Sequence, residues 1–138
     1  IEFYELAAAQ GHARGQVKLG ECYHHGNGVK INYKIATNWY RRAAERGYLG
    51  AQYSLGYMFY TGKGVAQSYD EAVMWFRRAA AQGNLDAIYG LGTCHAHGEG
   101  VPQDFDEAMR CFKRAAAQGH NIAAEAVRGF EAMEAMPG

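Results

Sequence analysis

A 36-residue internal repeat is the feature that most constrains the fold of this chain. Gly-Val pairs begin at Gly28, Gly64 and Gly100, so each pair follows the last after 36 residues. Three further series keep this step: Leu-Gly begins at 19, 55 and 91, glycine recurs at 11, 47, 83 and 119, and an aromatic residue recurs at 4, 40, 76 and 112. Self-similarity of this period indicates a repeat architecture in which stacked units bury one continuous core.

The first half of each unit has the pattern of an amphipathic helix. In the middle unit, Ala51, Leu55 and Phe59 recur at a spacing of four and form one apolar stripe. Gly62 and Gly64 are predicted to end this helix, because glycine tolerates the left-handed backbone at a helix C-terminus. The Leu-Gly glycines are predicted to be packing positions, where a neighbouring helix approaches closely.

The second half of each unit is predicted to be another helix with a capped start. Ser68 with Glu71, and Asp104 with Glu107, have the spacing of capping boxes, whereas Asn32 in the first unit offers only half of one. The predicted buried stripe of this second helix in the middle unit is Tyr69, Ala72, Phe76, Ala79 and Ala80. Short loops between helices of this length predict antiparallel hairpins.

These patterns predict one all-α domain of eight helices, with first helices near 13–25, 49–61, 85–97 and 121–133. Residues 1–12 would be the second helix of a preceding repeat, and the three complete repeats would be 13–48, 49–84 and 85–120. Residues 121–138 would be the first helix of a further or capping repeat. Solenoids normally end in polar caps, so the chain is expected to be part of a longer protein.

The repeat resembles the Sel-1-like repeat family. The matching residues of the middle unit are Ala51, Leu55-Gly56, Gly62-Lys63-Gly64-Val65, Ala72, Trp75-Phe76, Ala79-Ala80 and Gly83. The resemblance covers nearly the whole chain, with departures at Gly15 in the first unit and Cys111 in the third. It implies a right-handed α-α superhelix used as a scaffold for protein complexes, with the first helices of the repeats lining the concave side.

Several other function classes lack support in the sequence. Fourteen basic and fourteen acidic residues give a formal net charge of zero, so the basic excess typical of nucleic-acid binders is absent. The sequence contains no apolar run long enough to cross a bilayer, and no Walker, His-Glu-x-x-His or Gly-x-Ser-x-Gly motif. We therefore expect no nucleic-acid partner, no membrane insertion, no cofactor and no enzymatic activity.

Cysteines and histidines raise the hypothesis of a metal site. We consider it weaker than the alternative that these histidines, at helix ends, interact with the negative end of the helix dipole. Two clusters, Cys22 with His24-His25 and Cys94 with His95 and His97, each offer three ligands within one helical turn, pointing in different directions. Zinc wants four ligands in a tetrahedral array, so we expect no metal. We also expect three free thiols, which mildly favours a reducing, cytoplasmic compartment, although targeting signals could lie outside this chain.

A partner-binding groove is predicted from positions that vary between units, because positions shared by all units serve the fold. At about 100° per residue, four positions of each first helix lie opposite its apolar stripe. The predicted groove residues are Arg14, Lys18, Glu21, His25, Ser54, Tyr57, Thr61, Asp86, Thr93 and His97. Tyr57 is the predicted anchor for a partner peptide or helix.

The alternative to groove binding is architectural. In that case the chain would space or oligomerise flanking domains with an empty groove, and it could self-associate through the ends of the solenoid.

Overall fold

The computed structural model describes residues 1–136, and within them the chain forms eight α-helices and no strand. The helices are α1 (Glu2–Ala9), α2 (Ala13–His25), α3 (Tyr33–Glu45), α4 (Leu49–Thr61), α5 (Tyr69–Ala81), α6 (Leu85–His97), α7 (Phe105–Ala117) and α8 (Asn121–Glu134). The predicted ranges of the four first helices are confirmed, with α8 one residue longer. Consecutive helices make the principal contacts, which confirms the predicted all-α solenoid of helix hairpins.

Glycines end the first helix of each hairpin, as predicted. Gly26, Gly62 and Gly98 follow α2, α4 and α6 with φ of 74°, 76° and 68°, in the left-handed region. Side-chain caps then begin the second helices. Asn32, Ser68 and Asp104 accept backbone N–H groups three residues ahead, at 3.0, 3.2 and 3.0 Å.

The prediction of complete capping boxes at Ser68 and Asp104 is wrong. The backbone N–H of Ser68 donates to the carbonyl of Phe59 at 3.0 Å, and that of Asp104 donates to the carbonyl of His95 at 2.8 Å. Because a carbonyl of the preceding helix already satisfies this N–H, no reciprocal bond from Glu71 or Glu107 is made. The bond instead ties the start of the second helix to the first helix of the same hairpin.

The packing role of the Leu-Gly glycines is confirmed by their surroundings. A Cβ added at Gly20, Gly56 or Gly92 would lie 2.6, 2.7 or 2.6 Å from a ring carbon of Tyr40, Phe76 or Phe112, respectively. Carbon atoms attract one another best at about 3.5–4.0 Å, so no side chain fits at these positions. The aromatic ring of each second helix therefore rests directly on the backbone of the first.

Most of the predicted core is buried. Ala51, Leu55 and Phe59 are buried in α4, and so are Ala72, Phe76, Ala79 and Ala80 in α5. Tyr69, which we assigned to the buried stripe, is 37% exposed. It is the first residue of α5, where its ring lies against Tyr60 of the preceding helix rather than in the core.

Candidate functional site

None of the ten predicted groove residues is buried. Five are exposed (Arg14, His25, Thr61, Asp86 and His97) and five are half-buried (Lys18, Glu21, Ser54, Tyr57 and Thr93). They lie on α2, α4 and α6, the first helices of three successive hairpins.

The structure brings only part of this set together. Glu21, His25, Ser54 and Tyr57 line a cavity of about 750 Å³ between α2 and α4, which we call the first-junction cavity. Arg14 and Lys18 line a separate hollow of about 580 Å³ beside α1, with Phe3, Tyr4 and Leu6 among its walls. The other four residues line neither space: Thr61, Asp86, Thr93 and His97.

Several residues of the first-junction cavity were missed by sequence reasoning. They are His24, Asn27, Ile31, Tyr33, Tyr40, Tyr53 and Lys63. Our prediction considered only one face of each first helix, whereas the turns and the second helix α3 also contribute to the wall. One signal was available: the middle position of the Gly-x-Gly turn is Asn27, Lys63 or Glu99 in the three units, so it varies within an otherwise fixed motif.

Lys63 is held in the first-junction cavity by the packing of its turn. The buried Thr37 hydroxyl donates to the Lys63 carbonyl at 3.1 Å. The adjacent Gly64 has a φ of 74° and no room for a Cβ beside the Tyr33 carbonyl, so only glycine fits. From this fixed backbone the Lys63 ammonium reaches the rings of Tyr33 and Tyr57, 5.2 and 5.4 Å from their centroids, within cation–π range.

His24 also lines the first-junction cavity. Its Nδ1 is 3.2 Å from the hydroxyl of Tyr40, and its ring stacks on that of His25 with centroids 4.4 Å apart. Our expectation that this cluster points in different directions is therefore wrong for the two histidines. Burial, then the neighbouring His25 and Lys63, lower the pKa of His24 below its usual 6.5, so the ring is held neutral near pH 7.

Equivalent positions at the next junction of the solenoid carry different chemical groups. Tyr60 and Glu99 stand one repeat beyond His24 and Lys63, and the Tyr60 hydroxyl donates to the Glu99 carboxylate at 2.7 Å. His97 Nδ1 lies 3.5 Å from the same carboxylate. Burial, followed by the bond to Glu99, raises the pKa of Tyr60, so this hydroxyl remains a donor.

The cysteines are free thiols in different surroundings. Cys94 is buried, whereas Cys22 and Cys111 are half-buried. Burial, with a smaller contribution from Glu99, raises the pKa of Cys94 to about 12, and burial also raises that of Cys111. Within residues 1–136, no three His, Cys, Asp or Glu side chains are grouped so that they could hold a metal ion.

The helices of the described region include none with both the length and the apolar character needed to span a membrane.

Comparisons with known proteins agree with the geometry of the repeats. The family model described as Sel1 repeat matches residues 1–12, 13–48, 50–84 and 85–120. None of the curated proteins compared with the chain matches it.

Three solved structures are similar to the chain. A protective antigen present in uropathogenic Escherichia coli strains, which displays an SLR fold, is 38% identical with a TM-score of 0.84, over 88% of this chain and 26% of that one. A Sel1 repeat protein from Oxalobacter formigenes is 36% identical with a TM-score of 0.79, over 87% of this chain and 49% of its own. Helicobacter pylori cysteine rich protein B shares the fold at 21% identity and a TM-score of 0.68, over 90% of this chain and 89% of that protein.

The chain thus spans about a quarter of the Escherichia coli antigen and about half of the Oxalobacter protein. The family is typically non-catalytic, and its members generally act as scaffolds for protein interactions. By the family match over most of its length, together with the hairpins and packing glycines described above, this chain belongs to the Sel1 repeat family.

Proposed function

We propose that the chain binds an extended segment or a helix of a partner protein along the surface formed by α2, α4, α6 and α8. The observation that carries this proposal is the first-junction cavity of about 750 Å³, which four of the predicted groove residues line. This volume lies within the range of about 300–1,000 Å³ that is typical of binding pockets, and concave sites with a few polar groups are typical of recognition surfaces.

Tyr57 is the proposed anchor of the site. Its side chain is half-buried, and one face of the ring is occupied by the Lys63 ammonium at 5.4 Å. Such a tyrosine offers a large contact area at little cost in side-chain entropy, because much of its motion is already restricted. The corresponding residues Glu21 and Thr93 are not aromatic, so the anchor would fix where along the solenoid a partner binds.

Arg14 and Lys18 have a different proposed role. They lie beside the hollow next to α1, where Lys18 is 3.5 Å from Glu21 and its side chain is 44% exposed. Exposed charges at the edge of an interface mainly change the rate of association. We therefore assign them to the attraction of an acidic partner segment rather than to tight contact.

The test uses a peptide selected against the purified chain from a random peptide library, with affinity measured by isothermal titration calorimetry. Tyr57→Ala should weaken binding by about 2 kcal/mol, roughly thirtyfold, and leave the circular dichroism spectrum unchanged. Tyr57→Phe should retain most of the affinity, and Lys113→Ala, at an exposed position of α7, should retain all of it. Equal affinity of the wild type and Tyr57→Ala would contradict the proposed site.

A second measurement distinguishes electrostatic attraction of the partner by Arg14 and Lys18 from direct contact with it. In stopped-flow experiments, Arg14→Glu combined with Lys18→Glu should slow association of the selected peptide and flatten its dependence on salt. Dissociation should change little. A faster dissociation with unchanged association would instead place these two residues within the interface.

The architectural alternative is favoured by one observation, the exposed apolar side chains on the first and last helices. Phe3 and Leu6 on α1 are 75% and 61% exposed, and Ile122 and Met133 on α8 are 57% and 68% exposed. If these faces associate, sedimentation velocity should reveal oligomers that Phe3→Ser combined with Leu6→Ser dissociates. A monomer at all concentrations would remove the oligomerising form of this alternative.

A further inference from the structure

The first-junction cavity contains an imidazole and an ammonium at the positions where the next junction has a hydrogen-bond donor and a hydrogen-bond acceptor. His24 and Lys63 stand in the same relation as Tyr60 and Glu99 one repeat later. Tyr60 and Glu99 satisfy each other through a hydrogen bond of 2.7 Å. When the imidazole is protonated, His24 and Lys63 cannot form the equivalent hydrogen bond, because both groups are then cations and repel each other.

The charges around Lys63 are not balanced from within the chain. Among the described residues, Lys63 forms no ion pair, and its ammonium lies only against the faces of Tyr33 and Tyr57. Glu21 is the carboxylate that lines the cavity, and it pairs with Lys18 at 3.5 Å. The Lys63 ammonium is therefore a cation without an ion-pair partner in the wall of this cavity.

We propose that the first-junction cavity receives an anionic group of the partner, a carboxylate or a phosphate, between the Lys63 ammonium and the imidazole of His24. This inference rests on the proposed function, because it names the chemistry of the group that binds next to Tyr57. The anion supplies the acceptor that Glu99 supplies at the next junction, and it offsets the repulsion between the Lys63 ammonium and the His24 imidazole when that imidazole becomes protonated. The Ser54 hydroxyl and the Asn27 amide, which also line the cavity, are further donors to such a group.

The binding of the anion depends on pH through His24. The titratable groups that line the cavity together with this ring are Glu21 and His25 on its own helix, Tyr33 and Tyr40 on α3, Tyr53 and Tyr57 on α4, and Lys63 in the following turn. In the free chain the pKa of His24 is lowered, and a bound anion beside it raises that pKa. Between the two values the complex holds more protons than the free chain, so affinity rises as the pH falls through this range.

The proposal is tested by anion titration of the purified chain, followed by NMR of the histidine Cε1–H signals. Sodium sulfate serves as the probe for a phosphate-like group and sodium acetate as the probe for a carboxylate, at constant ionic strength set with sodium chloride. Neither probe changes its own charge appreciably between pH 6 and 7.5, so any pH dependence belongs to the protein. A saturable shift of the His24 signal that strengthens toward pH 6 is expected for at least one probe, and the stronger probe identifies the source.

Matched variants locate the site. Lys63→Ala should raise the dissociation constant of the stronger probe about tenfold or more, the loss expected for one charge-assisted contact. Lys113→Ala removes an exposed lysine of α7 and should change nothing. Lys63→Glu should abolish binding and raise the pKa of His24 in the free chain, because a carboxylate replaces the ammonium that faces it. His24→Gln should bind with an affinity that no longer depends on pH.

The outcomes separate this inference from the proposed function. Absence of a saturable shift with both probes, or equal binding by the wild type and Lys63→Ala, would overturn the anion site. The selected peptide could then still bind through Tyr57, and the proposed function would stand alone. Anion binding without any peptide binding would support the site and refute its use for a peptide partner.

Discussion

Replacing Gly56 with alanine is expected to destabilise the chain, although alanine is the better helix former. The added Cβ would lie 2.7 and 2.8 Å from Cδ1 and Cε1 of Phe76, and 3.3 Å from the Ala72 carbonyl oxygen. Phe76 is only 3% exposed and stacks on Tyr53 with centroids 5.8 Å apart, so its ring has little freedom to retreat. Overpacking of this kind costs about 1–3 kcal/mol, from which a gain of about 1 kcal/mol in helix propensity is subtracted.

Gly129 provides the matched control for this prediction. It also lies inside a helix, α8, but a Cβ there would meet nothing within 4 Å. Gly129→Ala should therefore leave the free energy of unfolding unchanged or raise it by about 0.5–1 kcal/mol. If the overlap costs about 3 kcal/mol, Gly56→Ala lowers the free energy of unfolding by about 2 kcal/mol net. The free energies of unfolding of the two variants should then differ by about 2–3 kcal/mol, as measured by urea denaturation followed by circular dichroism at 222 nm.

The same difference corresponds to roughly 6–9 °C in melting temperature for a chain of this size. Equal stability of Gly56→Ala and Gly129→Ala would refute the argument, because it would mean that the ring of Phe76 moves away at no cost. A crystal structure of Gly56→Ala with α4 and α5 at their original separation would point to the same conclusion.

Two other predictions concern the core and the thiols. Leu55→Ala, at a position with no exposed surface, should lower the free energy of unfolding by about 2–5 kcal/mol in the same denaturation assay, and a loss below about half a kcal/mol would show that α4 is wrongly oriented. Titration with Ellman's reagent should count three free thiols in the denatured chain, and in the native chain Cys94 should react last, because burial and a pKa of about 12 keep it protonated. A Cys94 that reacts as fast as Cys22 would contradict its buried position.

The sequence was sufficient to predict the hairpins, because each helix boundary depends on local chemistry that recurs every 36 residues. The glycines after α2, α4 and α6, and the caps at Ser68 and Asp104, are examples in which a residue type alone specifies the backbone. The capping boxes failed for a tertiary reason, since the N–H of each cap is taken by a carbonyl nine residues earlier.

The candidate site was predicted only in part, for a related reason. A helical projection places Glu21, Ser54 and Tyr57 on one surface, but it contains no information on what the turns add to that surface. Lys63 reaches the cavity because its turn packs on the start of α3, one repeat earlier in the chain. Contacts between repeats are non-local, so only the variation at the middle of the Gly-x-Gly turn hinted at them.

The hydrogen bonds that tie each cap to the preceding helix have a mechanical consequence. They join the two helices of one hairpin, and helices within a hairpin also contact each other more extensively than helices of successive hairpins do. Bending of the solenoid should therefore concentrate between hairpins, with each hairpin moving as one stiff body. The first-junction cavity spans such a hinge, because α2 and α4 belong to different hairpins. An occupant of this cavity would brace the hinge and reduce the range of curvatures that the superhelix samples.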